Sequence, residues 1–96
     1  MIEQNGDGLR VQSPMLIANA NALLEAGRRF FNGAGSSKVV FDLGQVQDAD
    51  SSALAVIFGW MRTARAVNVD VRIVNPPASL ISLAALYGVS ESLPLA

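Results

Sequence analysis

The chain has 96 residues, 51% hydrophobic and 16% charged, with seven basic against eight acidic side chains for a net charge of −1. That length fits one domain around one core, and its bases (Arg10, Arg28, Arg29, Lys38, Arg62, Arg65, Arg72) are too scattered along the sequence to promise the dense cationic face that nucleic acid requires. With no cysteine and no histidine there is no disulfide framework, thiolate nucleophile, Ser/His pair or ordinary zinc set, so no catalytic residue, metal or cofactor is expected and the chain is not read as an enzyme.

The first residues, MIEQNGDG, carry an acid and an early turn where a secretory signal would have a basic and then an apolar region. The longest apolar run, Ala53 to Met61, falls far short of the roughly 20 residues that span a bilayer. A soluble intracellular protein is expected, with no insertion into the membrane. So apolar a composition also calls for a tightly covered sheet or a patch reserved for another protein.

Asn5-Gly6-Asp7-Gly8 supplies the residues that tolerate positive φ in a tight hairpin, between Ile2–Gln4 and the alternating Leu9–Gln12. After Ser13-Pro14, the segment Asn19–Phe31 places Leu23, Leu24, Gly27, Phe30 and Phe31 on one side at helical spacing. Asn32 to Lys38 then ends this helix. Its glycines and lysine do not have Walker spacing, and the order is helix to strand, so C-cap and turn chemistry is expected there instead of a phosphate loop.

Val39-Val40-Phe41 with Leu43 is a short apolar run of a covered strand, and Asp70–Val74 is another, ended by Asn75-Pro76-Pro77. A helix from Ser51 to Val67 lies between them, which implies a right-handed parallel crossover. A last helix, Ala78–Tyr87, aligns Leu80, Leu83, Ala84 and Tyr87, with Gly88 placed to stop it and an irregular or short extended tail beyond. The order predicts a single α/β domain over residues 1–96, a mixed four-stranded sheet with helices mainly on one side.

The stretch QDADSSALAVIFGW, Gln47 to Trp60, sets the most polar letters beside the most apolar. Asp50, Ser51 and Ser52 can all accept from the free N–H groups of a first helical turn, and the same hydroxyls could meet an anion, a phosphoryl group or a partner's backbone. Leu54, Ile57, Phe58, Met61 and Ala64 fall on one side, read as the core face. Ser52, Val56, Gly59, Trp60 and Thr63 form a second stripe with no charge in it. Either that stripe is an interface with Trp60 as its anchor, or the indole lies over the rim of the sheet or the neighbouring helix and fills core space.

Asp50-Ser51-Ser52-Ala53-Leu54-Ala55 resembles the D-S-S-G-L-G signature of STAS domains, with VVFDL before it and VRIVN after it where that family has strands. Ala53 departs from the family's glycine. In such domains the helix opening at this signature faces the partner, and the first hydroxyl, here Ser51, is the regulatory position. Taken together with the uncharged stripe, the resemblance implies a partner-binding set of Ser51, Ser52, Val56, Trp60 and Thr63, with Ser51 the residue open to phosphorylation.

The ending LAALYGVSESLPLA and the short opening hairpin are more similar to the small cytoplasmic STAS subunits of Mla-type phospholipid ABC transporters. That likeness implies a non-catalytic accessory subunit that binds and supports the ATPase, and through it an inner-membrane permease, in a system maintaining outer-membrane lipid asymmetry. Its expected place is the cytoplasm, peripheral to the inner membrane. The other member role open to the chain is an anti-sigma-factor antagonist, partnered by an anti-sigma kinase and controlled by phosphorylation of Ser51.

Overall fold

A computed structural model describes residues 1–6, 8–31 and 37–96. Strands β1 (Ile2–Asn5) and β2 (Gly8–Val11) open the fold as an antiparallel pair, Ile2 opposite Val11. Gly6 stands at φ +61°, the left-handed backbone that the Asn-Gly turn was expected to provide; Asp7 lies outside the described residues. A 3₁₀ turn (Ile17–Asn19) leads into α1 (Ala20–Arg28), and then come β3 (Lys38–Asp42), α2 (Ser52–Ala66), β4 (Asp70–Val74), α3 (Ala78–Leu86) and a closing 3₁₀ turn (Ser90–Ser92).

The sheet order is β1-β2-β3-β4, with β2, β3 and β4 parallel. This is the predicted mixed four-stranded sheet, and β4 has the bounds read from the sequence. α1 ends earlier than the periodicity suggested because its last bonds tighten: Phe30 N–H reaches Gly27 O and Phe31 N–H reaches Arg28 O, a 3₁₀ pattern. The turn expected over Asn32–Lys38 falls mostly on residues 32–36, outside those described. At the other end Gly88, at φ +71°, follows the last turn of α3 as expected.

Register places Leu9, Phe41 and Ile73 side by side, with Val39 opposite Val71 on the same face. These side chains are buried together with Leu23, Ile57, Trp60, Leu80 and Ala84, so the helices cover this face. On the other face Arg10 lies opposite Asp42 and Val40 opposite Arg72, all half-buried. Pro94 to Ala96 continue the sheet on the free edge of β4: Ile73 N–H donates to Pro94 O at 2.8 Å and Ala96 N–H to Ile73 O at 3.0 Å. The tail, expected to be irregular or short extended, is thus a 3₁₀ turn followed by a short extended end.

Candidate partner-docking site

The segment between β3 and α2 is tied to the segment between β2 and α1. Met15 N–H donates to Asp48 O at 2.9 Å and Asp50 N–H to Met15 O at 3.1 Å, an isolated parallel bridge of Met15 with Ala49. Both segments leave the carboxyl ends of adjacent parallel strands, where α/β sheets commonly place their sites.

Asp50 is the hub of this junction. One carboxylate oxygen accepts from Ile17 N–H at 3.0 Å; the other accepts from Ser52 N–H at 2.9 Å and from the Ser52 hydroxyl. Hydrogen bonding to the Ser52 side chain, and then to the backbone of Ile17, holds the Asp50 carboxyl below the usual carboxylate range. The first turn of α2 is thus capped by Asp50 and not by Ser51, whose side chain makes no capping bond and is exposed. Of the three polar residues that sequence left open between capping and contact, two are consumed by the fold and Ser51 is left facing outward.

The second stripe is on the inside. Trp60 is 0% exposed and Val56 3%, which removes both from any surface a partner could touch and corrects the expectation of an outward indole. The Trp60 ring stacks on Phe41, centroids 4.1 Å apart and planes 5° from parallel, and its N–H is shared between Leu24 O at 3.1 Å and Leu23 O at 3.3 Å. Phe31 meets Phe41 edge-on at 6.2 Å.

The cause is the approach of α1. A Cβ on Gly27 would stand 2.2 Å from the indole nitrogen, and one on Gly59 would stand 2.6 Å from Leu24 Cδ1. Two glycines therefore let α1 lie directly over the stripe of Val56, Gly59 and Trp60. Thr63, on the same flank, is half-buried; its hydroxyl accepts from Arg28 Nε at 2.9 Å and donates to Gly59 O at 3.2 Å. At 100° per residue, this turns the core face of α2 by roughly 80° from the one read in the sequence. Leu54, Ile57 and Ala64 stay buried as expected, whereas Phe58 and Met61 are only partly so.

The outer stripe of α2 is instead Ser51, Ala55 and Arg62, with half-buried Phe58 on its flank away from α1. Sequence reasoning passed over Ala55 and Arg62, although their places four and eleven residues after Ser51 are the helical spacing of one face. A small residue and an arginine look like any solvated helix surface. The site presents an exposed hydroxyl on the first turn of a helix, a small residue one turn on and a cation two turns beyond it. That is suited to receiving a partner's backbone or carboxylate, and the described residues bring no acid/base pair to it.

The fold and this helix opening define a small α/β domain whose family can be given. The whole chain, residues 1–96, matches the STAS domain model, and the chain belongs to that family. Among relatives, it is 36% identical over 53 residues, 55% of this chain, to the intermembrane phospholipid transport system binding protein MlaB of Haemophilus influenzae. That match spans half the relative's length.

Among solved structures, a Thermotoga maritima protein described as a candidate anti-sigma factor antagonist matches with a TM-score of 0.76 at 18% identity, covering 99% of this chain and 83% of that one. The anti-sigma factor antagonist SpoIIAA, in unphosphorylated form, matches with a TM-score of 0.65 at 13% identity over 90% of this chain and 81% of its own. The latter two likenesses are of fold. Among the described residues, no helix is long and apolar enough to cross a membrane.

Proposed function

We propose that this chain is a non-catalytic accessory subunit that binds the ATPase of an Mla-type phospholipid ABC transporter and supports its activity, lying at the inner membrane through that partner and serving outer-membrane lipid asymmetry. The observation that carries this reading is the 36% identity over 53 residues to the MlaB relative, whereas the two antagonist structures, at 13% and 18% identity, are likenesses of fold. The docking surface is the outer stripe of α2, with Ser51 and Ala55 at its centre and Ser52 held in place behind them by Asp50. Trp60 supports it from within by stacking on Phe41 of the sheet, and Thr63 by its bond to Arg28 of α1, with Val56 buried beside them.

A constitutive subunit needs an accessible helix opening and no covalent switch, which suits a Ser51 that is exposed while Asp50 does the capping. The same free hydroxyl also fits the second reading, an anti-sigma-factor antagonist whose kinase phosphorylates Ser51. Affinity purification from the native cell separates the two. Recovery of an ATPase and its permease, lost in Ser51→Arg, is the result expected; recovery of a serine kinase together with phosphorylated Ser51 would replace this reading with the second.

A further inference from the structure

We propose that the outer face of α3 is a further part of the docking surface, fitted to an apolar groove on a protein partner. From Ile73 to Ser90 the chain runs 18 residues without Asp, Glu, Lys or Arg. Within α3 only Leu80 and Ala84 are buried, whereas Leu86 is 77% exposed and Ile81 38%, and Tyr87 just beyond is 58% exposed. Ala78, Ser82 and Ala85 are also exposed. α3 thus carries no charge on any side, and its exposed face has only Ser79 and Ser82 as polar side chains among Ala78, Ile81, Ala85 and Leu86, whereas an outward helix face ordinarily carries charged residues. The other two helices follow the usual rule, with Glu25 and Arg29 outward at α1 and Arg62 and Arg65 outward on α2. Only α3 breaks it.

The chemistry of the face selects its occupant. A helix that lies on a bilayer presents Lys or Arg to anionic headgroups, and α3 has neither. A second copy docked through α3 alone fits poorly too, since Ile81, Leu86 and Tyr87 expose on the order of 300 Å², short of the roughly 800 Å² that each side of a stable interface buries, so the face needs an adjoining surface to complete it.

A groove on a different protein meets both conditions. α3 packs against α2, and both helices start from the carboxyl ends of neighbouring strands, so its face extends the Ser51–Ala55 surface and enlarges it. Small residues along the middle of the helix let another backbone come close, while Ile81 and Leu86 stand on either side as anchors, the pattern of a helix seated in a groove. Resting on the function proposed above, the partner is the transporter ATPase.

The test titrates the purified ATPase with the wild-type chain, with the double variant Ile81→Lys/Leu86→Lys, and with Ala55→Arg, each first shown to be folded by circular dichroism and melting. Sedimentation of the chain alone and flotation with phosphatidylglycerol-containing vesicles accompany it. A monomeric chain that does not float, with binding at least tenfold weaker in the α3 variant, is expected. Unchanged ATPase binding by the folded α3 variant, with binding lost in Ala55→Arg, overturns the α3 assignment and leaves the function intact. No binding by the wild type overturns the function and the occupant together, and dimerisation or flotation that the α3 substitutions abolish overturns the occupant in favour of a second copy or a bilayer.

Discussion

The indole of Trp60 lies against the bare Cα of Gly27: a Cβ built there would come within 2.4 Å of ring atom Cε2 and within 2.2 Å of the ring nitrogen. The close approach lets Trp60 donate to the carbonyls of Leu23 and Leu24 on α1 while stacking on Phe41 of the sheet. One residue thus joins helix to helix and both to the sheet.

Gly27→Ala should therefore destabilise the domain although alanine is the better helix former. Helix propensity alone favours alanine by about 1 kcal/mol, whereas overpacking a tight core costs about 1–3 kcal/mol, and here the obstacle is a ring held by three neighbours. Chemical denaturation should show a net loss. Trp60→Ala should lose about 3–5 kcal/mol, enough to unfold much of a domain this small.

The single tryptophan gives a direct reading of this packing. Acrylamide should quench native Trp60 weakly and the denatured chain strongly, and the Gly27→Ala variant should fall between them. Strong quenching of the native chain would contradict the buried position.

Acid should weaken the fold through two carboxylates. The Asp42 carboxyl is held low by the Gly44 N–H at 2.8 Å, then by Asn75 Nδ2 at 3.1 Å, with Arg10 nearby, and that of Asp50 by Ser52 and the Ile17 N–H. Both values are depressed on folding, so each contribution is fully present above the unfolded value of about 4 and is lost as pH falls through the lower folded value. Melting temperature should hold from neutral pH down to about 4 and fall below it. Asp50→Asn should be less stable at neutral pH and should lose part of that acid dependence.

Ser51 should tolerate change and Ser52 should not. Ser51→Ala should leave stability within about 0.5 kcal/mol, as for exposed positions, because its side chain caps nothing. Ser52→Ala removes the hydroxyl partner of Asp50 and should cost about 1 kcal/mol. Thermal melts of the two variants side by side would show the difference.

The order of elements along the chain, the parallel crossover, the bounds of β4 and the stop at Gly88 were legible in the sequence because each depends on local letters: alternation, apolar runs, glycine after a helix. The orientation of α2 was not, since it is set by a neighbour 35 residues away. A stripe free of charge around a tryptophan reads equally well as an interface or as a seat for another helix, and only the second is compatible with Gly27 facing it. A signal was present, in that Gly59 and Thr63 within the stripe are small residues suited to close helix approach, as is Gly27 on the apolar side of α1. The exposed surface was passed over for the opposite reason, as Ala55 and Arg62 have ordinary solvent-face composition. Of the five residues expected at the partner surface, Ser51 is exposed, Ser52 and Thr63 are half-buried and bonded within the chain, and Val56 and Trp60 are core.

The central claim is that partners meet this domain at the outward stripe of α2 that begins with Ser51, and not at the indole. Its most direct test is an equilibrium titration of the purified transporter ATPase with wild-type chain and with Ala55→Arg, a substitution on an exposed helical position. The account predicts that both chains melt alike and show the same Trp60 emission, while the variant binds at least tenfold more weakly. Equal affinity in the two folded proteins would contradict it.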